Sequence, residues 1–130
     1  MIPFRIAFEP GVPIYEQVVY AAKKAIVAGE MRPGEAFPSV RQLSRELKIN
    51  PNTAHRVVME LTSEGLLEIQ PGIGTVVARR FPSTGGDRRR LMGPELEKLV
   101  VEARRLGLQL EDVVRMLREH WKGLDPEDRP

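Results

Sequence analysis

The chain has 130 residues, 42% of them apolar, and a net charge of +2 at neutral pH. It holds no cysteine, which excludes disulfides, thiolate zinc sites and a cysteine nucleophile. No apolar run approaches the roughly 18 residues that a membrane-spanning helix needs, and the first residues lack the pattern of a signal peptide. These properties predict a cytoplasmic globular protein with one domain, or with one small domain and an appendage.

The charge is unevenly distributed along the chain. Residues 1–82 and residues 83–90 each carry a net charge of +2, whereas residues 91–130 carry −2. A basic N-terminal part suits a partner with phosphate groups, and an acidic C-terminal part suits a different partner. The total charge is too small to indicate a nucleic-acid partner by itself.

The first elements are an extended segment and a helix. Residues 1–8 alternate apolar and other side chains, and Pro3 places such a segment at the edge of a sheet. Residues 13–28 carry apolar side chains with a helical period, and Gly29 is expected to end that helix. Residues 31–34 (MRPG) then predict a turn.

Two start signals follow and predict a pair of short helices. Ser39, with Gln42 three residues later, has the spacing of a capping box. In the second signal, Asn50 is the cap and Pro51 occupies the first helical position, where its missing N–H costs nothing. The second helix keeps a polar face outward, formed by Asn52, Thr53, His55, Arg56 and Glu60. This layout is typical of a helix-turn-helix whose second helix enters the major groove of DNA, although any helical hairpin with a solvated face shares it.

A small hairpin is predicted directly after these helices. Gly65 suits the end of the second helix, and residues 67–70 alternate with the period of a strand. Residues 71–74 (PGIG) form a turn signal, and residues 75–78 (TVVA) predict the returning strand. A helix-turn-helix followed by a hairpin is a winged helix, and glycine at the tip allows the backbone to approach a phosphate.

The C-terminal part is predicted to be a linker and two helices. Residues 81–90 have linker composition, and their arginines 88–90 either touch the DNA backbone or keep the linker solvated. Residues 91–125 carry two amphipathic patterns separated by Gly107, and Pro94 is expected at the start of the first helix. The organisation is therefore a winged domain over residues 1–80, a linker over 81–90 and a two-helix region over 91–125.

The two C-terminal helices have one apolar face and nothing in their own segment to cover it. A unit of this size rarely stands alone, so the face must pack on the winged domain or on a second copy of the chain. The linker composition favours a second copy and a symmetric four-helix bundle. The dimer residues predicted on this basis are Leu96, Leu99, Val100, Ala103, Val113, Val114, Leu117 and Trp121.

Six blocks of the sequence resemble the GntR superfamily of bacterial transcription regulators. They are PIYEQ (13–17), GEMRPG (29–34), PSVRQL (38–43), NPNT (50–53), LTSEGL (61–66) and GIGT (72–75). The NPNT block and the short C-terminal part are similar to the YtrA subfamily. The resemblance implies a dimeric DNA-binding regulator, usually a repressor, and often one encoded near transporter genes.

The resemblance also implies roles for individual residues. Arg41 matches an arginine that contacts operator DNA, Asn52 and Thr53 match positions that touch bases or phosphate, and Gly72 matches a wing-tip glycine in the minor groove. Three departures limit the transfer: Pro51 and His55 replace common base-reading arginines, and Lys48 replaces a turn glycine, which predicts a positive φ there. The DNA-binding residues predicted overall are Ser39, Arg41, Asn52, Thr53, His55, Arg56 and Gly72.

An enzyme is not indicated by any motif. The two histidines, His55 and His120, lie in different predicted modules, and residues 72–74 (GIG) are too short for a phosphate loop. We expect no cofactor and no metal, with double-stranded DNA and a second copy of the chain as partners. The alternative is a winged helix that assembles with proteins and binds no DNA. The presence of an effector stays open, and two short helices leave little room for an enclosed small-molecule site.

Overall fold

A computed structural model of the protein describes residues 2–125 and divides the chain into an N-terminal unit, up to Phe81, and a C-terminal unit, from Pro82. The N-terminal unit contains α1 (Ile14–Val27), α2 (Val40–Leu47), α3 (Pro51–Ser63), β1 (Leu67–Gln70) and β2 (Gly74–Val77). This order, three helices and then an antiparallel hairpin, is that of a winged helix-turn-helix, as predicted.

The core of the N-terminal unit forms where α1 and α2 pack on α3. Val18, Leu43, Val57 and Leu61 are completely buried there, with no exposed side-chain surface. Burying one such side chain stabilises a fold by about 1.5–3 kcal/mol. The polar faces of α2 and α3 are therefore fixed by the apolar faces that pack inward.

The predicted caps of α2 and α3 are present. The Ser39 hydroxyl oxygen accepts a hydrogen bond of 3.0 Å from the Gln42 N–H, and the Asn50 side-chain oxygen accepts one of 2.7 Å from the Asn52 N–H. Lys48, between the two helices, has a φ of 55°, which confirms the positive value predicted for it. The turn is thus set by local sequence signals.

The wing is a regular two-stranded hairpin. Leu67 pairs with Val77 at its base and Gln70 with Gly74 at its tip. One isolated antiparallel bridge pairs Ala36 with Val76 on the outer side of β2. The described residues of the extended segment expected over 1–8 form no strand with the hairpin. Phe4 is instead buried against Phe37, with ring centroids 6.3 Å apart, so this segment is anchored by side chains.

The helices of the C-terminal unit begin at Gly85. It contains α4 (Gly85–Arg90), a π-helical turn (Leu91–Glu95), α5 (Leu96–Arg105) and α6 (Leu110–Gly123). The last six residues of the predicted linker, 85–90, are therefore helical. Thr84 caps α4: its hydroxyl accepts from the Asp87 N–H at 3.0 Å, and the Asp87 carboxylate accepts from the Thr84 N–H at 3.4 Å. Pro94 lies in the π-helical turn and does not begin a helix.

The C-terminal unit has almost no core of its own. Among its described residues, only Ala103 is a buried hydrophobic residue. The helices α5 and α6 have few residues close to each other, so their apolar side chains stay largely exposed. No helix within residues 2–125 is long and apolar enough to cross a membrane.

Candidate nucleic-acid interface

The outer face of α3 is polar and accessible. Asn52, His55 and Arg56 are exposed, and Thr53 is half-buried. They point outward because Ala54, Val57 and Leu61 take the inward positions of the same helix. Asn52 and Arg56 are four residues apart and therefore neighbours on one face, near the end of the helix that a helix-turn-helix presents to DNA.

Arg56 has a specific partner that the sequence did not reveal. Its guanidinium carbon lies 3.6 Å from the centre of the Tyr15 ring, a cation–π stacking arrangement. Tyr15 is half-buried at the start of α1 and packs against the core. The two residues are 41 positions apart in the chain, and no periodic pattern links them.

The start of α2 adds two further predicted residues. Arg41 is exposed in the first turn of the helix. Ser39 is exposed as well, and its hydroxyl oxygen already accepts the capping bond from Gln42. Since a hydroxyl also donates, Ser39 retains an O–H that can reach a phosphate oxygen.

The wing tip is open and conformationally special. Gly72 has a φ of 81° and Gly74 a φ of 112°, backbone values that residues with a side chain rarely adopt. A Cβ at either position would meet no atom within 4 Å. Ile73 between them is 68% exposed. Gly72 was predicted from its motif, whereas the exposure of Ile73 depends on the turn geometry and has no signal in the sequence.

The predicted dimer residues differ in how accessible they are. Leu99, Val100, Leu117 and Trp121 are exposed, and Trp121 is the most exposed of them at 76%. Leu96, Val113 and Val114 are half-buried, and Ala103 is buried. The first four side chains can therefore contribute the most new contact area to a partner.

Within residues 2–125, no group of three or more His, Cys, Asp or Glu side chains is placed to hold a metal ion. His55 lies in the N-terminal unit and His120 in the C-terminal unit. The most distinctive feature of the described surface is thus the polar face of α2 and α3 with the neighbouring wing.

The part of the chain that carries this surface matches a family of known proteins. Residues 14–77 match the bacterial regulatory proteins of the gntR family. The chain is 34% identical over 108 residues to the HTH-type transcriptional repressor YtrA of Bacillus subtilis (strain 168), a stretch that covers 82% of this chain and 83% of that protein.

Two solved structures are similar in fold. A transcriptional antiterminator from Listeria monocytogenes EGD-e has a TM-score of 0.80 at 24% identity, with 93% of this chain and 91% of that chain covered. AraR(DBD) in complex with operator ORX1 has a TM-score of 0.52 at 25% identity, with 60% of this chain and all of that chain covered. The first likeness concerns the fold alone.

Proposed function

We propose that this chain, which belongs to the gntR family of bacterial regulatory proteins, is a repressor that binds a pseudo-palindromic operator as a homodimer. Its relatives in the family are transcriptional regulators and not enzymes. Operator DNA as a partner is supported by AraR(DBD), which has a similar fold and was solved with an operator. Repression is supported by the relative named as a repressor. With DNA as its partner, the protein is expected to act in the cytoplasm.

The observation that carries the proposal is the polar outer face of α3 beside an open wing. Asn52 and His55 offer hydrogen-bonding groups to base edges, and Arg41 and Arg56 offer cations to phosphates. Thr53 and Ser39 can donate hydrogen bonds to the DNA backbone from the starts of the two helices. Gly72 lets the wing approach a groove closely. A surface made for protein assembly would be apolar in this position.

The homodimer is supported by the lack of a core in the C-terminal unit. Leu99, Val100, Leu117 and Trp121 expose apolar surface that a second copy can cover, while Leu96, Val113 and Val114 are half-buried and Ala103 is buried. We therefore assign residues 1–80 to DNA binding and the C-terminal helices to dimerisation. A two-fold symmetric dimer presents two recognition helices, which calls for an operator with inverted half-sites.

DNA binding can be tested with a duplex that the wild-type chain enriches from a random-sequence library. We call this DNA the selected duplex. Arg41→Ala is expected to weaken binding to it and to leave the thermal unfolding curve unchanged, because Arg41 is exposed. Loss of a phosphate contact would lower the salt slope by about one per protomer, whereas loss of a base contact would cost roughly 1–3 kcal/mol and relax one position.

Lys24→Ala is the matched control, since Lys24 is an exposed cation on α1 that we place outside the DNA face. It removes the same charge and should change affinity little. Failure of the wild-type chain to enrich any duplex would refute operator binding and favour a winged helix that assembles with proteins.

A further inference from the structure

We propose that Tyr15 is a positioning residue for DNA binding, holding the Arg56 guanidinium at the α1 side of the recognition helix α3, where it contacts a DNA phosphate. The inference rests on the proposed function and adds to it a residue outside the helix-turn-helix. It also explains how Arg56 is held in place for the phosphate contact proposed above.

The geometry of the pair is the first support. The guanidinium carbon of Arg56 lies 3.6 Å above the centre of the Tyr15 ring. A guanidinium that stacks on an aromatic ring uses its flat side, so its edge N–H donors remain available to other groups. Those edge donors are the groups that bind phosphate oxygens in pairs. Stacking and phosphate binding therefore do not compete.

The position of Tyr15 is the second support. Tyr15 is half-buried, packs against the core and belongs to α1, which packs directly on α3. An arginine drawn towards a neighbouring helix lies at the flank of the recognition helix and away from the centre of its outer face. When a helix lies in the major groove, the centre of its outer face is opposite the base edges, and its flanks are opposite the sugar–phosphate backbone.

The chemistry of an exposed arginine is the third support. A long side chain on a helix surface samples many rotamers and must be ordered when it binds. A ring fixed by core packing restricts the guanidinium before DNA arrives, so less ordering remains to oppose binding. The Tyr15 hydroxyl is not needed for this, because it donates to the neighbouring Glu16 carboxylate at 3.4 Å.

The test uses the full-length chain and the selected duplex. Tyr15→Leu keeps apolar bulk against the core but removes the aromatic face, and Tyr15→Phe keeps the face without the hydroxyl. We expect Tyr15→Leu to weaken binding about threefold per protomer, hence about tenfold for the dimer, whereas Tyr15→Phe restores affinity to within about twofold of wild type. Tyr20→Leu, at the chain's other tyrosine on the same helix, should leave affinity unchanged.

A double-mutant cycle separates positioning from a general structural effect. In an Arg56→Ala background, Tyr15→Leu should cause no further loss, because the residue acts only through Arg56. Arg56→Ala itself should lower the salt slope by about one per protomer and leave the preferred sequence unchanged.

Equal losses from Tyr15→Leu with and without Arg56 would overturn the inference, as would wild-type affinity in Tyr15→Leu. A relaxed base preference in Arg56→Ala would overturn the phosphate assignment. All three outcomes require that the wild-type chain binds the duplex, so they are distinct from a failure of the proposed function.

Discussion

The two units of the chain differ in where their apolar residues lie. In the N-terminal unit the large apolar side chains of three helices and a hairpin meet in a common core, with Leu43 and Leu61 completely buried. In the C-terminal unit, helices of similar length expose Leu117 and Trp121. The first unit is completed by its own residues and the second needs surface from elsewhere. Under our proposal, folding and assembly therefore belong to different parts of one short chain.

Removing the C-terminal unit should have the largest effect on DNA binding. A chain that ends at Phe81 keeps the complete core and is expected to fold as a monomer. Its affinity for the selected duplex should fall by about 10²–10⁴, because the second half-site is no longer bound by a linked copy. Sedimentation and anisotropy titration measure the two results. A truncated chain that still dimerises would show that dimerisation lies in the winged unit.

A leucine-to-alanine pair contrasts the two units directly. Leu61→Ala should destabilise the chain by about 2–5 kcal/mol, since it opens a cavity in a packed core. Leu117→Ala, at a 54% exposed position, should instead reduce stability mainly at low protein concentration, where the dimer dissociates. Urea unfolding at several protein concentrations distinguishes these behaviours. If both variants lost the same free energy of unfolding at every protein concentration, the two units would not differ in the way described.

Replacing the exposed tryptophan tests whether its surface is an interface. Trp121→Ala is expected to cost the dimer roughly 2 kcal/mol, about a 30-fold higher dissociation constant, as for a central interface aromatic. Lys122→Ala, next to it and also exposed, is the control and should change little. Because Trp121 is the chain's one tryptophan, wild-type emission should also shift to longer wavelength on dilution. A constant emission spectrum together with unchanged sedimentation in Trp121→Ala would argue against this face.

The smallest expected effect concerns the turn between α2 and α3. Lys48 has a φ of 55°, a conformation that is unfavourable for residues with a Cβ. Lys48→Gly should therefore stabilise the N-terminal unit by about 0.5 kcal/mol, after allowing for the greater freedom of glycine when unfolded. Lys24→Gly, in the regular helix α1, should destabilise by about 1 kcal/mol. Loss of stability in both variants would show that Lys48 is not strained.

Local features of the winged unit could be read from the sequence because neighbouring residues determine them. Ser39 and Asn50 cap helices whatever the rest of the fold does, and Lys48 occupies a turn that leaves few backbone choices. The wing followed from alternating residues and glycines over a short stretch. In each case the stabilising contact joins residues only a few positions apart.

Features that depend on distant or competing contacts could not be read in this way. The stack of Arg56 on Tyr15 needs the packing of α1 on α3. The helix over residues 85–90 does have a local signal, the capping pattern of Thr84 and Asp87, but the linker composition of this stretch obscures it. Pro94 suggested a helix start, but a π-helical turn accommodates it inside a longer helical segment.

The symmetry of the selected DNA tests the account most directly. Sequencing of the duplexes enriched by the full-length chain should give an inverted repeat, with half-site centres about 10 base pairs apart or a multiple of that spacing. Such a repeat requires two winged units related by a two-fold axis, as the unsatisfied apolar surface of the C-terminal helices predicts. A single asymmetric motif, bound by one copy of the chain at the same affinity, would contradict it.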